Sequence, residues 1–266
     1  MDFVRFGEIR VSRLILGSNP FSGFSHHGPE MDLQMMRYYK TGKIKETLFE
    51  AQRLGINTVV SRTDHHVMRF LLEYWDEGGT LQWFAQTCPE VGPQEMCVER
   101  AVSGQARACH IHGGVADHLY AQGRLDELVP VVRQIHETGM LAGIAGHQPG
   151  VIKWAEENLE VDYYMCSYYN PIGRDDNPEH VRGMAETYLE KDRKVMTDLI
   201  KGLSRPVIHY KVMAAGRNDP AEAFAYAAGC MRPEDAVCVG VYTEKNPEML
   251  EEDVNLLGKY LARAEK

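Results

Sequence analysis

The sequence predicts a (β/α)8 TIM barrel with an N-terminal β-hairpin capping the barrel floor, and three observations carry that expectation. Eight short apolar runs alternate with amphipathic helical stretches; the runs are continuous rather than alternating, as parallel strands covered on both faces should be; and the length of 266 residues suits eight such units in a single domain, 1–266.

The elements follow in order. Residues 3–14, FVRFGEIRVSRL, alternate apolar and charged side chains about Gly7, the pattern of a short hairpin. The candidate barrel strands are LILGSN at 14–19, NTVVSR at 57–62, LQWFAQT at 81–87, ACHIHG at 108–113, LAGIAG at 141–146, YYMCSYY at 163–169, PVIHYKV at 206–212 and AVCVGVY at 236–242. Between them, Ile44, Leu48, Ala51 and Leu54 form one helical stripe, and Leu125, Leu128, Val129, Val132 and Ile135 another, with Gly55 and Gly139 as their C-terminal caps. The longest loops are expected at 20–42, after the first barrel strand, and at 170–185, after the sixth.

Composition narrows the function classes. A formal net charge of −9 with no Lys/Arg-rich stretch argues against nucleic acid as a partner. No apolar run approaches the ~20 residues needed to span a bilayer, and the first residues lack the apolar core of a signal peptide, so a cytoplasmic protein without a membrane partner is expected. The six cysteines lack CxxC spacing and read as reduced thiols, most of them core residues.

The histidines are the most informative residues. Eight of the eleven, His26, His27, His65, His66, His110, His112, His147 and His209, fall at or just beyond the C-terminal end of a predicted strand, the face on which barrel enzymes place their chemistry. His110 and His112 are two apart and share a face if 108–112 is extended, as do His209 and Lys211. Imidazoles converging there suit a divalent metal (Zn, Fe, Mn or Ni), with His66, His110, His112, His147 and His209 as the candidate ligands. His112, His147, His65, Lys211 and Asp64 are the candidates for acid–base or nucleophilic roles, Lys211 because an amine at a strand end can act as a base or form a Schiff base when burial lowers its pKa. Asn19, Arg62 and Arg174 are candidate substrate contacts. Each has a plainer explanation: a packing histidine, a solvated lysine, a surface ion pair, a turn asparagine.

Taken in order, LGSNPFSG at 16–23, LGIN at 54–57, GIAGHQP at 143–149, YYNPIGR at 168–174, MAAGR at 213–217 and VGVYTEKNPEMLEEDVNLL at 239–257 resemble motifs of the aldo/keto reductases, barrels that reduce carbonyls with NADP(H). The resemblance covers nearly the whole chain. It implies that His112 is the counterpart of that family's substrate-orienting histidine. The rest of the family's catalytic tetrad is replaced: Val60 stands near the Asp position, Asp64, His65 or His66 near the Tyr position, and Gln86–Thr87 where the Lys would be. Of the family's cofactor contacts, Tyr210 matches the aromatic that stacks on the nicotinamide, and Gly216, Arg217, Thr243 and Lys245 fall in the loops that hold pyrophosphate and adenosine. Ala145, Gly146 and Cys166 replace the residues that read the carboxamide.

The expected function is therefore a small-molecule enzyme on an aldo/keto reductase-like barrel, with a histidine-rich, divalent-metal-assisted site. It would perform acid–base chemistry on a sugar-derived, polyol or hydroxy-carbonyl substrate, as a lyase, isomerase or hydrolase. Two alternatives stand beside it: an NADP-dependent oxidoreductase with a non-standard proton donor, and an inactive barrel serving as a binding protein.

Overall fold

Val4, Phe6, Ile9 and Val11 are the inward residues of two alternating strands, β1 (Phe3–Phe6) and β2 (Ile9–Ser12), which pair antiparallel around Gly7 at φ +52°. In the computed structural model, which describes residues 1–179 and 185–264, this hairpin closes the base of a parallel barrel. Its four apolar side chains pack with Ile15, Val60, Phe84, Tyr163, Met165 and Ile208 from the barrel interior. Phe6 is fully buried, its ring 6.2 Å from that of Phe84 and 5.7 Å from that of Tyr163. Burial of one such ring contributes roughly 1.5–3 kcal/mol.

The barrel consists of β3 (Leu14–Gly17), β4 (Thr58–Arg62), β5 (Gln82–Gln86), β6 (Ala108–Ile111), β7 (Leu141–Gly146), β8 (Tyr163–Ser167), β9 (Val207–Tyr210) and β10 (Ala236–Gly240). All neighbours are parallel and consecutive, and β10 returns to β3 through the register Val237↔Leu14 to close the ring. These are the eight runs predicted, LAGIAG with the same bounds and the other seven trimmed by a residue or two at one or both ends. Around them lie α1 (Pro29–Tyr38), α2 (Thr41–Arg53), α3 (His65–Asp76), α4 (Gln94–Ser103), α5 (Gly113–Ala121), α6 (Val129–Glu137), α7 (Pro149–Asn158), α8 (Glu190–Ile200), α9 (Pro220–Cys230) and α10 (Met249–Ala264). A second, larger apolar layer fills the space between strands and helices, with Ile44, Leu48 and Ala51 of α2 and Val132 and Ile135 of α6 among its members.

Two local readings are corrected. The stretch 20–42 is not one long loop: a 3-10 turn at Asn19–Ser22 and helix α1 occupy most of it. Pro29 at the first turn, Glu30 and Asp32 near the N-terminus and Arg37 near the C-terminus are helix-favouring placements. The apolar pattern concealed them, because Leu33 and Met36 face solvent. In the second stripe Val129 is exposed at 36% and Val131 is buried in its place. Leu125–Leu128 forms a 3-10 turn before α6, and Val129 at the junction turns outward while Leu125, Leu128, Val132 and Ile135 stay buried.

Gly55 and Gly139 take positive φ at 86° and 81° after their helices, as caps should. The six cysteines are free, and five of them are buried. Of the expected loop at 170–185, residues 180–184 lie outside the described residues. Among the described residues no helix is long and apolar enough to cross a membrane.

Candidate active site

The C-terminal ends of the strands form a polar mouth, and α5 organises it. His112, one residue beyond β6, is the N-cap of α5: its Nδ1 accepts a hydrogen bond from the Gly114 amide at 3.1 Å. An acceptor at Nδ1 leaves the ring proton on Nε2, so the orientation of the imidazole fixes its tautomer. The His112 amide in turn donates to Thr87 Oγ1 at 2.9 Å, from the end of β5. Burial, with His147, Arg62 and Arg174 adding positive field, holds its pKa well below the ordinary value. His112 is thus a neutral ring with a donor to offer.

Asp117 lies on the same helix, five residues further on and fully buried. It accepts a 2.6 Å hydrogen bond from Nδ1 of His147, just beyond β7, and two more from the amides of His147 and Gln148, each at 3.1 Å. His147 therefore carries its proton on Nδ1 and presents the Nε2 lone pair, the arrangement of an imidazole held ready as a base. Burial lowers its pKa and outweighs the opposing pull of Asp117, so this ring too is neutral near pH 7. Two adjacent strands, β6 and β7, hold imidazoles in opposite proton roles.

Glycine makes this packing feasible. A Cβ built on Gly113 would lie 3.0 Å from His147 Cε1 and 3.0 Å from the Tyr210 hydroxyl oxygen; one on Gly114 would lie 2.5 Å from the Pro178 carbonyl oxygen and 2.9 Å from His112 Cε1. Tyr210, at the end of β9, sets its ring edge-on to His147 with centroids 5.6 Å apart.

The neighbouring wall is cationic. Lys211 follows β9 in the left-handed region at φ +57°, which a residue with a side chain adopts only at a cost, and His26, Ala214 and Ala215 share that region at +60°, +47° and +56°. Lys211 Nζ lies 3.4 Å from His26 Nε2, whose Nδ1 contacts Glu186 Oε1 at 2.8 Å. Burial lowers the Lys211 pKa to about 8, with Glu186 opposing and Arg174 and Arg217 adding to the shift. Arg174 is only 7% exposed; burial lowers its pKa as well.

Other candidates sit elsewhere. His110 is fully buried inside the barrel, with Nδ1 at 3.1 Å from the Tyr163 hydroxyl and Nε2 at 3.4 Å from Gln86 Oε1, and burial alone pulls its pKa to about 3. His209 is fully buried between the Tyr168 hydroxyl, 3.0 Å from Nδ1, and Asp235, 3.2 Å from Nε2. With both nitrogens used, neither ring has a lone pair to give a metal. His66 faces the Phe21 carbonyl, and His65 is exposed on the first turn of α3. The five-histidine metal set is therefore not brought together: among the described residues, no three His, Cys, Asp or Glu side chains could hold an ion.

Asp64 is the N-cap of α3, accepting from the Val67 amide at 2.9 Å and from Arg62 Nε at 3.1 Å. Arg62 is taken up by Asp64 and by Glu90 at 2.9 Å, and Asn19 is an exposed residue of the 3-10 turn.

The residues assigned to a dinucleotide by resemblance are also engaged. Arg217 donates to the carbonyls of His26 and Ala214 and covers the Tyr188 ring at 4.5 Å; buried Thr243 meets Tyr38 at 3.0 Å; Gly216 and Lys245 are exposed. His27 closes over the same loop, its Nε2 2.6 Å from the Ala215 carbonyl. Arg217 and Thr243 are thus committed within the chain, while Gly216 and Lys245 remain open to a ligand.

The sequence reading did not single out Asp117, Gly113, Gly114 or the His26–Glu186 pair. The signal for Asp117 is a lone acid in the apolar stretch GGVADHL, since a carboxylate on a buried helix face needs a partner.

The strands close into a (β/α)8 barrel with a histidine–aspartate pair at its mouth, a fold similar to that of solved aldo-keto reductases. A protein from Pseudomonas aeruginosa described as an aldo-keto reductase superposes with a TM-score of 0.63 at 17% identity, over 98% of this chain and 94% of that one. The aldo-keto reductase from Bacillus halodurans, in its holo form, gives 0.61 at 14% identity over 99% and 94%. A truncated 3-deoxy-D-arabino-heptulosonate 7-phosphate synthase from Thermotoga maritima gives 0.59 at 12% over 99% and 92%. No family model and no curated protein matches the sequence. The likeness is one of fold, and it extends to enzymes of more than one reaction class.

Proposed function

We propose that this protein is an enzyme that moves protons on a small hydroxy-carbonyl substrate, in the manner of a lyase or isomerase. The observation that carries the reading is the pairing of His147, oriented by Asp117, with His112, whose Nδ1 is committed to capping α5. In this scheme His147 Nε2 takes a proton from a hydroxyl, or from a carbon next to the carbonyl, while His112 Nε2–H donates to the carbonyl oxygen on which charge develops. Asp117 stabilises the imidazolium that results. Both rings have lowered pKa values, so near neutral pH the base is free and the donor is in its donating form.

The test is isotope exchange. Incubated in D2O with aldoses and ketoses of three to six carbons, with and without acidic substituents, the protein should exchange a carbon-bound proton of at least one, read by NMR. His147→Ala should slow that exchange by about 10²–10⁴-fold. No exchange by the wild type, or an unchanged rate in His147→Ala, overturns the reading.

A second reading, carbonyl reduction with NADPH, is favoured by the placement of His112 as a carbonyl donor and of Tyr210 beside His147. Saturable quenching of protein fluorescence by NADPH would support it, and the absence of quenching would discard it.

A further inference from the structure

We propose that Arg174, together with Lys211, is a subsite for an anionic group of the substrate, a phosphate or a carboxylate, so that the substrate is an acidic hydroxy-carbonyl compound. The inference rests on the reading of the mouth as the substrate site, and it stands on the charge pattern there.

Three other arginines shielded in the barrel have carboxylate partners. Arg62 meets Glu90 at 2.9 Å, Arg193 meets Glu222 at 2.9 Å and Arg232 meets Asp235 at 2.8 Å. Arg174 departs from that pattern. Its Nη1 donates to the Glu179 carbonyl, its buried Nε has no hydrogen-bond partner, and no carboxylate among the described residues lies within ion-pair distance. Lys211 likewise has His26 as its near contact and no carboxylate within that distance among the described residues.

The acids close enough to feel these cations are committed. Asp117 is taken by the His147 ring and two amides, Glu186 by His26 and by the Tyr188 hydroxyl at 2.6 Å, and Glu90 by Arg62. Two cations held largely away from water with no carboxylate in direct contact are costly, and a bound anion offsets that cost while gaining charge-assisted hydrogen bonds.

The position of the guanidinium is set by the same helix that sets the acid–base pair. The Arg174 carbonyl lies 2.8 Å from His118 Nδ1, and Gln122 Nε2 donates to the Asp175 carbonyl at 3.0 Å, so the loop is tied along α5 and its C-terminal end. Helix α5 thereby fixes where an anion would sit relative to His112 and Asp117. Such a constraint would select substrates with the acidic group at a set distance from the reacting carbon.

Calorimetric titration of the full chain with inorganic phosphate and, separately, with acetate tests this without any turnover. At least one anion should bind saturably, and the tighter of the two names the group. Arg174→Gln should weaken binding about 10–100-fold, the loss expected when charge-assisted hydrogen bonds are removed. Arg174→Lys should keep part of the affinity, and Lys211→Met gives an independent reading if Arg174→Gln does not fold. Binding of neither anion by the wild type, or wild-type affinity in both folded Arg174→Gln and Lys211→Met, overturns the inference. His147→Ala, which tests the proton-transfer reading, should still bind the anion. Anion binding without isotope exchange leaves the subsite standing and removes the proposed chemistry; exchange without anion binding does the reverse.

Discussion

A methyl group at Gly113 would have to share space with two parts of the candidate site. Its 3.0 Å distances to His147 Cε1 and to the Tyr210 hydroxyl are tighter than the 3.4–4 Å of ordinary contact, so one or both rings must retreat by a few tenths of an ångström. His147 has little freedom to do so, since its Nδ1 is held 2.6 Å from a carboxylate that is itself fixed by two amides. Overpacking of this kind costs about 1–3 kcal/mol. Gly258, an exposed residue inside α10, provides the contrast, because a Cβ there meets nothing within 4 Å. Gly258→Ala should stabilise by roughly 0.5–1 kcal/mol, through the lower backbone entropy of the unfolded chain. Urea denaturation of the two variants should therefore move the midpoint in opposite directions with unchanged slopes. Gly113→Ala should in addition shift the His147 imidazole resonances in an NMR spectrum, while Gly258→Ala leaves them in place. Stabilisation by Gly113→Ala equal to that of Gly258→Ala, with His147 unmoved, would refute the close packing described for the mouth.

Two further predictions concern single ionisable groups. Asp253, 6% exposed, has its pKa raised to about 7 by burial and by Glu252, against an ordinary 3.8. Its folded pKa lies above its unfolded one, so the stability it contributes is present below about pH 4 and lost as pH rises through about 7, an effect of at most about 4 kcal/mol. Asp253→Asn should therefore match the wild type at pH 4 and exceed it in melting temperature at pH 8; equal melting temperatures at both values would count against the burial argument. Lys211, with a pKa of about 8, should be about one-tenth neutral at pH 7, ~300-fold more than a lysine of ordinary pKa. Acetic anhydride labelling followed by mass spectrometry should show its reactivity rising with a midpoint near pH 8, and a midpoint above pH 10 would contradict its burial.

The architecture was legible because it depends on local pattern. Continuous apolar runs such as LAGIAG and AVCVGV announce strands covered on both sides, and Gly7 between alternating strands announces the hairpin. The location of a polar mouth followed from the histidines beyond those runs. Their individual roles were not legible, because each depends on which way a ring turns. His110 and His112 are two residues apart, yet His110 is sealed inside the barrel against Tyr163 while His112 leaves the strand to cap α5. His209 looked equally suited to bind a ligand, but Asp235, 26 residues later, occupies its Nε2. Asp117 went unread for the converse reason: its partner, 30 residues on, becomes a neighbour only when β7 lies beside β6. Alternation and spacing report on a strand's two faces, and contacts between successive βα units are outside what they encode.

The N-terminal hairpin has a consequence for traffic through the molecule. With Phe6 pressed against Phe84 and Tyr163, the packed interior is sealed at its base, and only the strands' C-terminal ends face outward. Water, substrate and product would then share a single route past His112 and His147, so a product still seated at the mouth would hold the next molecule out. Under the proposed chemistry, departure of the product would then limit turnover alongside the proton transfer itself.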